Sequence, residues 1–401
     1  MLPLEGIKVI DFTTWVFAPA ASAILGDWGA DVIKIEDPTT GDPQRAIISV
    51  AGWDVPEVNF TWELYNRNKR GMAIDLRIKE GRDILYRLIE DADVFVSNLQ
   101  SNALKKLFVD YDTLSKINPR LIYAHGTGYG NKGPEASRAG YDHAAFWARG
   151  GIMAKLGEPD SIPPKGLGAF GDSTGSIALA AGIVLALFGR GKSGTGQEVN
   201  VSLFGTALWC NSLTIAGAEL MEEVAERESR KETRNPLYNS YECKNDKWLM
   251  VVCLQSDRYW SGFCKVLGLE SLENDPRFEN IFKRSENAKE LIKILDKSFI
   301  KFDREELGRL FDENGVLWTP VQTPKEAAND PQAIANRFVV EVEHPSHGSY
   351  KSISSPVQFN KTPFAIRNIA PELGQHTEEI LLEIGYTWDD ITAFKEAKAI
   401  I

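Results

Sequence analysis

The chain has 401 residues, 43% of them hydrophobic and 25% charged, with 45 Lys and Arg against 56 Asp and Glu for a net charge of −11. The length exceeds one ordinary core, the composition excludes wholesale disorder, and the acidic balance disfavours nucleic acid as a partner. Five histidines and four cysteines leave little material for zinc, thiol or Ser-His-Asp chemistry.

In chain order, Ile7–Phe12 reads as a buried strand, Pro19–Leu25 as an Ala-rich helix and Asp31–Glu36 as a second strand, which together make a parallel crossover unit. Gly81–Asp91 is an amphipathic helix with Ile84, Leu85, Leu88 and Ile89 on one face. Asp93–Val96 is a strand, Ala103–Phe108 a helix and Leu121–His125 a strand. This alternation predicts a doubly wound, Rossmann-like α/β domain. A long helix follows over Asp172–Arg190, then a strand over Gln197–Leu203 and an apolar helical stretch over Phe204–Leu220. Glu222–Arg234 is a charged run read as a solvated helix end and linker. Tyr238–Cys253 reads as a hairpin turning at Asn245-Asp246, followed by helices over Asp257–Leu267 and Ser285–Phe299. Loops are expected around Pro320 and a final helix over Leu373–Ile384. The expected organisation is a large domain over 1–205, a linker helix over 206–235, a smaller α+β domain over 236–318, and a return to the large domain over 319–401.

The start, Met1–Ile10, lacks the basic and apolar regions of a signal peptide, and Cys210, Cys243, Cys253 and Cys264 form no Cys-x-x-Cys pair. Reduced thiols and a cytoplasmic protein are expected. The apolar stretch Ile177–Phe188 suits a buried helix and is too short to span a bilayer, so no membrane partner is expected. His344 and His347 lie in a turn beside Pro345 and Gly348, so no metal site is expected there. Gly166-Leu-Gly-Ala-Phe-Gly171 matches a dinucleotide fingerprint literally, but no strand precedes it and no acidic residue follows at the required distance. Gly189-Arg-Gly-Lys-Ser193 ends a helix where a phosphate loop would begin one.

Gly171-Asp172-Ser-Thr-Gly175 opens the long helix. Asp172 reads either as an N-cap or as a carboxylate held ionised at the positive helix end, where flanking glycines let a substrate approach. A carboxylate nucleophile needs no histidine base.

The chain carries, in order, Gly6-Ile-Lys-Val-Ile-Asp-Phe12, Leu25–Glu36, Gly41–Arg45, Asn66–Arg70, Ile74–Arg77, Asp93–Asn98, Asn118–Tyr123, Gly126–Gly130, Gly140-Tyr-Asp142, Gly171-Asp172, Thr195–Ser202 and Pro371–Thr377. Together these strings resemble class III coenzyme A transferases of the CaiB/BaiF type. The resemblance implies Asp172 as nucleophile, passing through aspartyl anhydride and aspartyl-CoA thioester intermediates, with backbone N–H groups over 171–175 as oxyanion donors. It places Trp15 near the pantetheine or thioester, the stretch from Ile74 to Arg77 with Asn98, Leu99 and Lys106 along the nucleotide and pyrophosphate side, and Tyr141 near the nucleophile. Taken by themselves, Lys106 reads as a surface lysine and Ile74 as core. Arg45, Lys69 and Arg70 either pair phosphates or form a solvated basic loop. CoA is a substrate, no tightly bound cofactor is implied, and an interlocked homodimer is. Trp15 replaces a smaller residue, and the glycine-rich loop that covers the site in formyl-CoA transferase has no counterpart between Arg234 and Asp246. Thr127–Pro134 and Ala145–Gly151 look most like clostridial (R)-2-hydroxyacyl-CoA and aryllactate-CoA transferases. An acyl-CoA donor and an (R)-2-hydroxy acid such as 2-hydroxyisocaproate or an aryllactate are then the substrates, with Trp15, Phe17, Phe146 and Trp147 walling an apolar pocket. Phe146 and Trp147 read equally as core. The rivals are a related acyl-CoA racemase using His125 or His143, a transferase for carnitine, bile acid or formate and oxalate, and a non-catalytic CoA- or nucleotide-binding protein. A local basic patch is expected, because CoA is anionic.

Overall fold

In the computed structural model, which describes residues 1–47, 58–221 and 227–401, the chain divides into two compact units. The first comprises 1–153, 165–222 and 334–401, and the second 154–164 and 223–333. The boundaries read from composition, 236 and 318, both fall inside the second unit. Part of the charged run, 222–226, lies outside the described residues.

The first unit begins with β1 (Lys8–Phe12), α1 (Phe17–Asp27), β2 (Asp31–Glu36), α2 (Phe60–Asn66), β3 (Lys69–Ala73), α3 (Lys79–Glu90), β4 (Val94–Ser97), α4 (Ser101–Lys106), α5 (Tyr111–Ile117) and β5 (Ile122–Thr127). A π-helical turn at Asp142–Ala148 leads to α6 (Phe170–Ser193), β6 (Gln197–Ser202), α7 (Leu203–Cys210) and α8 (Ser212–Leu220). The six strands are all parallel in the order β3-β2-β1-β4-β5-β6. Strand order reverses between β1 and β4, and an open α/β sheet forms a crevice at the carboxyl ends of the strands there.

Period-2 alternation sorts the sheet residues into two cores. Val9, Val32, Val94, Val96, Ile122 and Ala124 face α1 and α6. Ile10, Ile33, Ile35, Phe95 and Tyr123 face the other layer, where α3 buries the predicted stripe of Ile84, Leu85, Leu88 and Ile89. Each such side chain contributes roughly 1.5–3 kcal/mol on burial. α6 is long and apolar enough, by length and composition, to cross a bilayer. Here its Leu179, Ala180, Ile183 and Ala186 are packed into the core beside α1.

β3, α2 and α5 have no counterpart in the sequence reading. β3 (KRGMA) opens on two cations and lacks apolar alternation. It is a strand because Lys69 is buried on a salt bridge to Asp11 of β1.

The second unit holds β7 (Tyr238–Glu242), β8 (Trp248–Val252), α9 (Ser256–Leu267), α10 (Ile281–Glu286), α11 (Ala288–Phe299), α12 (Arg304–Glu313) and β9 (Trp318–Val321). The predicted hairpin is present, and β9 extends it to the antiparallel order β7-β8-β9 where loops were expected. Pro320 is compatible with β9 because an edge strand tolerates a missing N–H. Stacked rings fill this core, with Tyr241 on Phe299 at 4.3 Å and Phe263 on Phe311 at 5.7 Å.

The chain returns to the first unit through a hairpin, β10 (Val339–His344) and β11 (Gly348–Ile353), which turns at the predicted His344–His347 segment. The helix expected from Leu373 starts at Thr377 as α13 (Thr377–Glu383), since Gly374 is left-handed with φ 68°. It is not the last helix, because α14 (Trp388–Glu396) follows.

Candidate active site

Two cavities open at the carboxyl edge of the parallel sheet. The first, about 260 Å³, is lined by the segments following β1, β4 and β5, together with Tyr141 and Asp172. The second, about 350 Å³, is lined by the segments following β1, β2 and β3. Thr14 and Leu99 line both. Of the residues singled out by sequence, Trp15, Asn98, Leu99, Tyr141 and Asp172 meet in the first cavity, while Ile74, Arg77 and Leu99 meet in the second. Lys106 lines neither; it is exposed at the end of α4, one residue before Leu107 of the second cavity.

The β1–α1 loop is held in an uncommon conformation. Trp15 has φ 67°, a left-handed geometry that costs a bulky residue energy and persists only where its surroundings enforce it. Asn98 supplies one constraint: its Oδ1 accepts from Thr14 N–H at 2.9 Å, and its Nδ2 donates to the Thr14 carbonyl at 2.7 Å. Asp42 supplies another, accepting from Trp15 N–H at 3.0 Å. The Trp15 ring then meets the half-exposed Tyr141 edge-on at 6.3 Å.

Asp172 is not an N-cap. The cap position of α6 is Ala169, with φ 60° and no side-chain cap, and Asp172 stands in the first helical turn. The side chain that reaches the helix start is Asp142, from the π-helical turn, whose Oδ1 accepts from Gly171 N–H at 3.0 Å. Its other oxygen, Oδ2, is buried with no hydrogen-bond partner among the described residues. Sequence reasoning passed over Asp142, although it lies beside Tyr141 in the quoted Gly-Tyr-Asp string. The flanking glycines also serve packing. A Cβ on Gly171 would meet Asp142 and Phe146 at 2.3 Å, and one on Gly175 would meet Phe17 at 2.8 Å. The expected approach of a substrate over these glycines is therefore replaced by side-chain contacts, and Gly171 N–H is spent on Asp142 rather than on an oxyanion.

Burial pushes the Asp172 carboxyl up to about 7, with the negative charge of Asp142 adding to it. Asp142 is itself raised, chiefly by burial. The helix N-terminus pulls Asp172 the other way but does not leave it an ordinary ionised carboxylate. A desolvated carboxylate near neutrality is a stronger nucleophile than a hydrated one of low pKa.

Other candidate residues are committed elsewhere. Lys69 is fully buried, donating to Asp11 at 2.7 Å, the Pro19 carbonyl at 2.9 Å and Asn66 at 3.0 Å. Arg45 pairs with Glu36 at 2.7 Å and stacks 3.8 Å over Trp62, and Arg70 pairs with Asp31 and Glu383, each at 2.8 Å. None of the three is a solvated loop cation or free for a phosphate. Arg138 in the first cavity and Arg77 in the second are already paired, with Glu135 at 2.8 Å and with Asp75 at 2.8 Å. Phe146 and Trp147 are core, at 1% and 7% exposure, and only Trp15 and Phe17 of the expected apolar wall line the cavity. Gly166 of the literal dinucleotide string abuts the Trp147 ring. His125 Nε2 donates to the Leu99 carbonyl at 2.8 Å and His143 Nε2 to that of Gly166 at 3.0 Å. A half-buried carboxylate in a crevice with aromatic rings, and with no histidine bonded to it among the described residues, suits acyl transfer through a covalent intermediate.

Comparison with known proteins points to CoA transfer. Residues 4–377 match the family model described as CoA-transferase family III. The chain is 34% identical over 398 residues to the (R)-2-hydroxy-4-methylpentanoate CoA-transferase of Clostridioides difficile, covering 99% of both chains. It is 33% identical to the cinnamoyl-CoA:phenyllactate CoA-transferase of Clostridium sporogenes, covering 99% of this chain and 97% of that one. Among solved structures, a CAIB/BAIF family protein from Brucella suis superposes with a TM-score of 0.84 at 29% identity, over 96% of this chain and 99% of that one.

Proposed function

The chain belongs to CoA-transferase family III and is a CoA-transferase, and from that premise we propose that it moves CoA between an acyl-CoA and an (R)-2-hydroxy acid with an apolar side chain, using Asp172 as nucleophile. The observation that carries the reading is the half-buried Asp172 carboxyl, uninvolved in capping and set in the same cavity as Trp15, Asn98 and Tyr141.

Asp172 attacks the thioester carbonyl carbon, the C–S bond breaks, and an aspartyl acyl anhydride and CoA thiolate result. The thiolate attacks the aspartyl carbonyl, expelling the donor acid as a carboxylate and leaving an aspartyl-CoA thioester. The acceptor carboxylate attacks that thioester, re-forming a mixed anhydride and thiolate. Attack of the thiolate on the acceptor carbonyl then gives the new acyl-CoA and frees Asp172. No net proton is exchanged, and no nucleotide is consumed, because one thioester replaces another. The chain's task is positioning and exclusion of water.

The two relatives' acids, 2-hydroxy-4-methylpentanoate and phenyllactate, carry branched and aromatic side chains, which supports the substrate class. In this reading CoA lies along the two cavities, with Ile74, Arg77 and Leu99 on the nucleotide side and Lys106 at the rim. Homodimer assembly is supported by exposed Leu185 and Phe188 of α6, Trp209 of α7 and Leu213 of α8. A cytoplasmic location is supported by four free cysteines.

Exchange kinetics test the reading. Asp172→Ala should cut CoA exchange at least about a thousandfold, while circular dichroism and CoA affinity are retained. Exchange surviving in that variant would overturn it.

A further inference from the structure

Double-displacement chemistry at one carboxylate needs two spaces: one for the thiol of CoA, which stays throughout, and one for the acids, which come and go. The cavity of Trp15, Asn98 and Tyr141 provides the first. A third cavity, about 320 Å³, meets the same first turn of α6 through Ser173, the neighbour of Asp172. Ala20, Ala23 and Ile24 of α1, Leu64 of α2 and Ile177 of α6 make its wall apolar, and small residues on α1 create the space. Its volume lies in the range of small-ligand sites.

Two polar side chains, Tyr65 and Ser173, meet where this cavity nears the nucleophile. The Tyr65 hydroxyl lies 3.4 Å from Ser173 Oγ. Burial, with the negative charge of Asp172 and Asp142, raises the phenol, so it is a protonated donor at neutral pH. The cavity's guanidinium, Arg67, is neutralised by Asp27 at 2.8 Å and does not draw a second carboxylate there. The occupant this chemistry fits is a hydrocarbon group carrying one hydroxyl beside its carboxylate.

We infer that the cavity between α1, α2 and α6 takes the side chain of the acid, with the Tyr65 hydroxyl hydrogen-bonded to its 2-hydroxyl. This rests on Asp172 being the nucleophile. It replaces the Phe146 and Trp147 wall, which the core has absorbed. Tyr65 then selects 2-hydroxy acids over unsubstituted ones, and Ile177 sets the side-chain length accepted.

The test uses the full-length protein and three 2-hydroxy acids with methyl, isobutyl and benzyl side chains. Ile177→Trp should lower the benzyl-to-methyl ratio of kcat/KM about tenfold or more, and Ile177→Ala should raise it. Tyr65→Phe should reduce the preference for 2-hydroxyisocaproate over 4-methylpentanoate by about tenfold. CoA affinity, read by calorimetry, should not move in any of the three. Unchanged acid selectivity in all three variants, with a covalent CoA adduct still forming at Asp172, would overturn the inference and leave the transferase reading standing. Loss of CoA affinity in parallel with selectivity would also overturn it, by assigning the cavity to CoA. Absence of any adduct in the parent protein would instead remove the premise.

Discussion

Two groups of buried and half-buried charge stand within one unit of this protein, and they are treated in opposite ways. Under the β1–α1 loop, Asp11, Lys34, Lys69 and Asp42 answer one another: Lys34 lies 3.0 Å from Asp42 and Lys69 lies 2.7 Å from Asp11. The Asp11 carboxyl is held below its usual range despite full burial, by Lys69 and Lys34. At the start of α6, the charge of Asp142 acts on Asp172, neither carboxylate has a salt bridge among the described residues, among charges only His143 offsets Asp142, and Asp172 rises to about 7. The first group fixes the loop that carries Trp15 through Asp42, and the second stores an unspent carboxylate. Partners, rather than burial, separate a structural charge from a reactive one.

The largest expected effect breaks the satisfied group. Lys69→Met leaves Asp11 buried with its nearest cation gone, and should cost about 3–5 kcal/mol, read as a lowered denaturant midpoint. Lys69 itself is pushed down to about 8, by burial against the pull of Asp11.

Next, relieving the unsatisfied group should stabilise the protein. A carboxyl whose folded pKa is near 7 and whose unfolded value is near 4 holds more protons in the native state between those pH values. Stability therefore falls as pH rises from about 4 to about 7, and the penalty persists above. Asp172→Asn should raise stability by roughly 2–4 kcal/mol at pH 8, and by little below pH 4, as read by denaturant melts at both. Equal effects at both pH values would mean that Asp172 is not desolvated.

A smaller effect isolates Asp142. Asp142→Asn keeps an acceptor for Gly171 N–H and removes the neighbouring charge. The acid limb of kcat/KM for acyl-CoA, expected near 7 in the parent from Asp172, should move down by roughly one unit. An unmoved limb would reduce Asp142 to packing.

The smallest concerns the rim. Arg77→Ala and Lys106→Ala should each raise KM for acyl-CoA a few-fold, less at high salt, with kcat unchanged. Arg77 is exposed and shared between Asp75 and Asp37, at 2.8 and 3.1 Å, so its loss is partly compensated.

The fold was legible where one periodicity dominated: five of the sheet's strands and the stripe of α3 follow from spacing alone. β3 was not, because its strand character depends on Asp11, 58 positions away. β9 was hidden by Pro320, which only the edge position explains. At the site, Asp172 stood out as an acid opening an apolar helix. What its carboxyl does was not legible, since the cap comes from Asp142 and the glycines are filled by Phe17 and Phe146. The two cavities at the sheet edge show no run of free cations among their described lining residues, because Arg77 and Arg138 each already carry a carboxylate partner.

One measurement tests the central claim most directly. The protein is mixed with an acyl-CoA, trapped with hydroxylamine or borohydride, digested, and mapped by mass spectrometry. The account predicts modification of the peptide containing Asp172, at that residue, and none in Asp172→Ala. Modification at another residue, or CoA exchange proceeding with Asp172 unmodified, would contradict it.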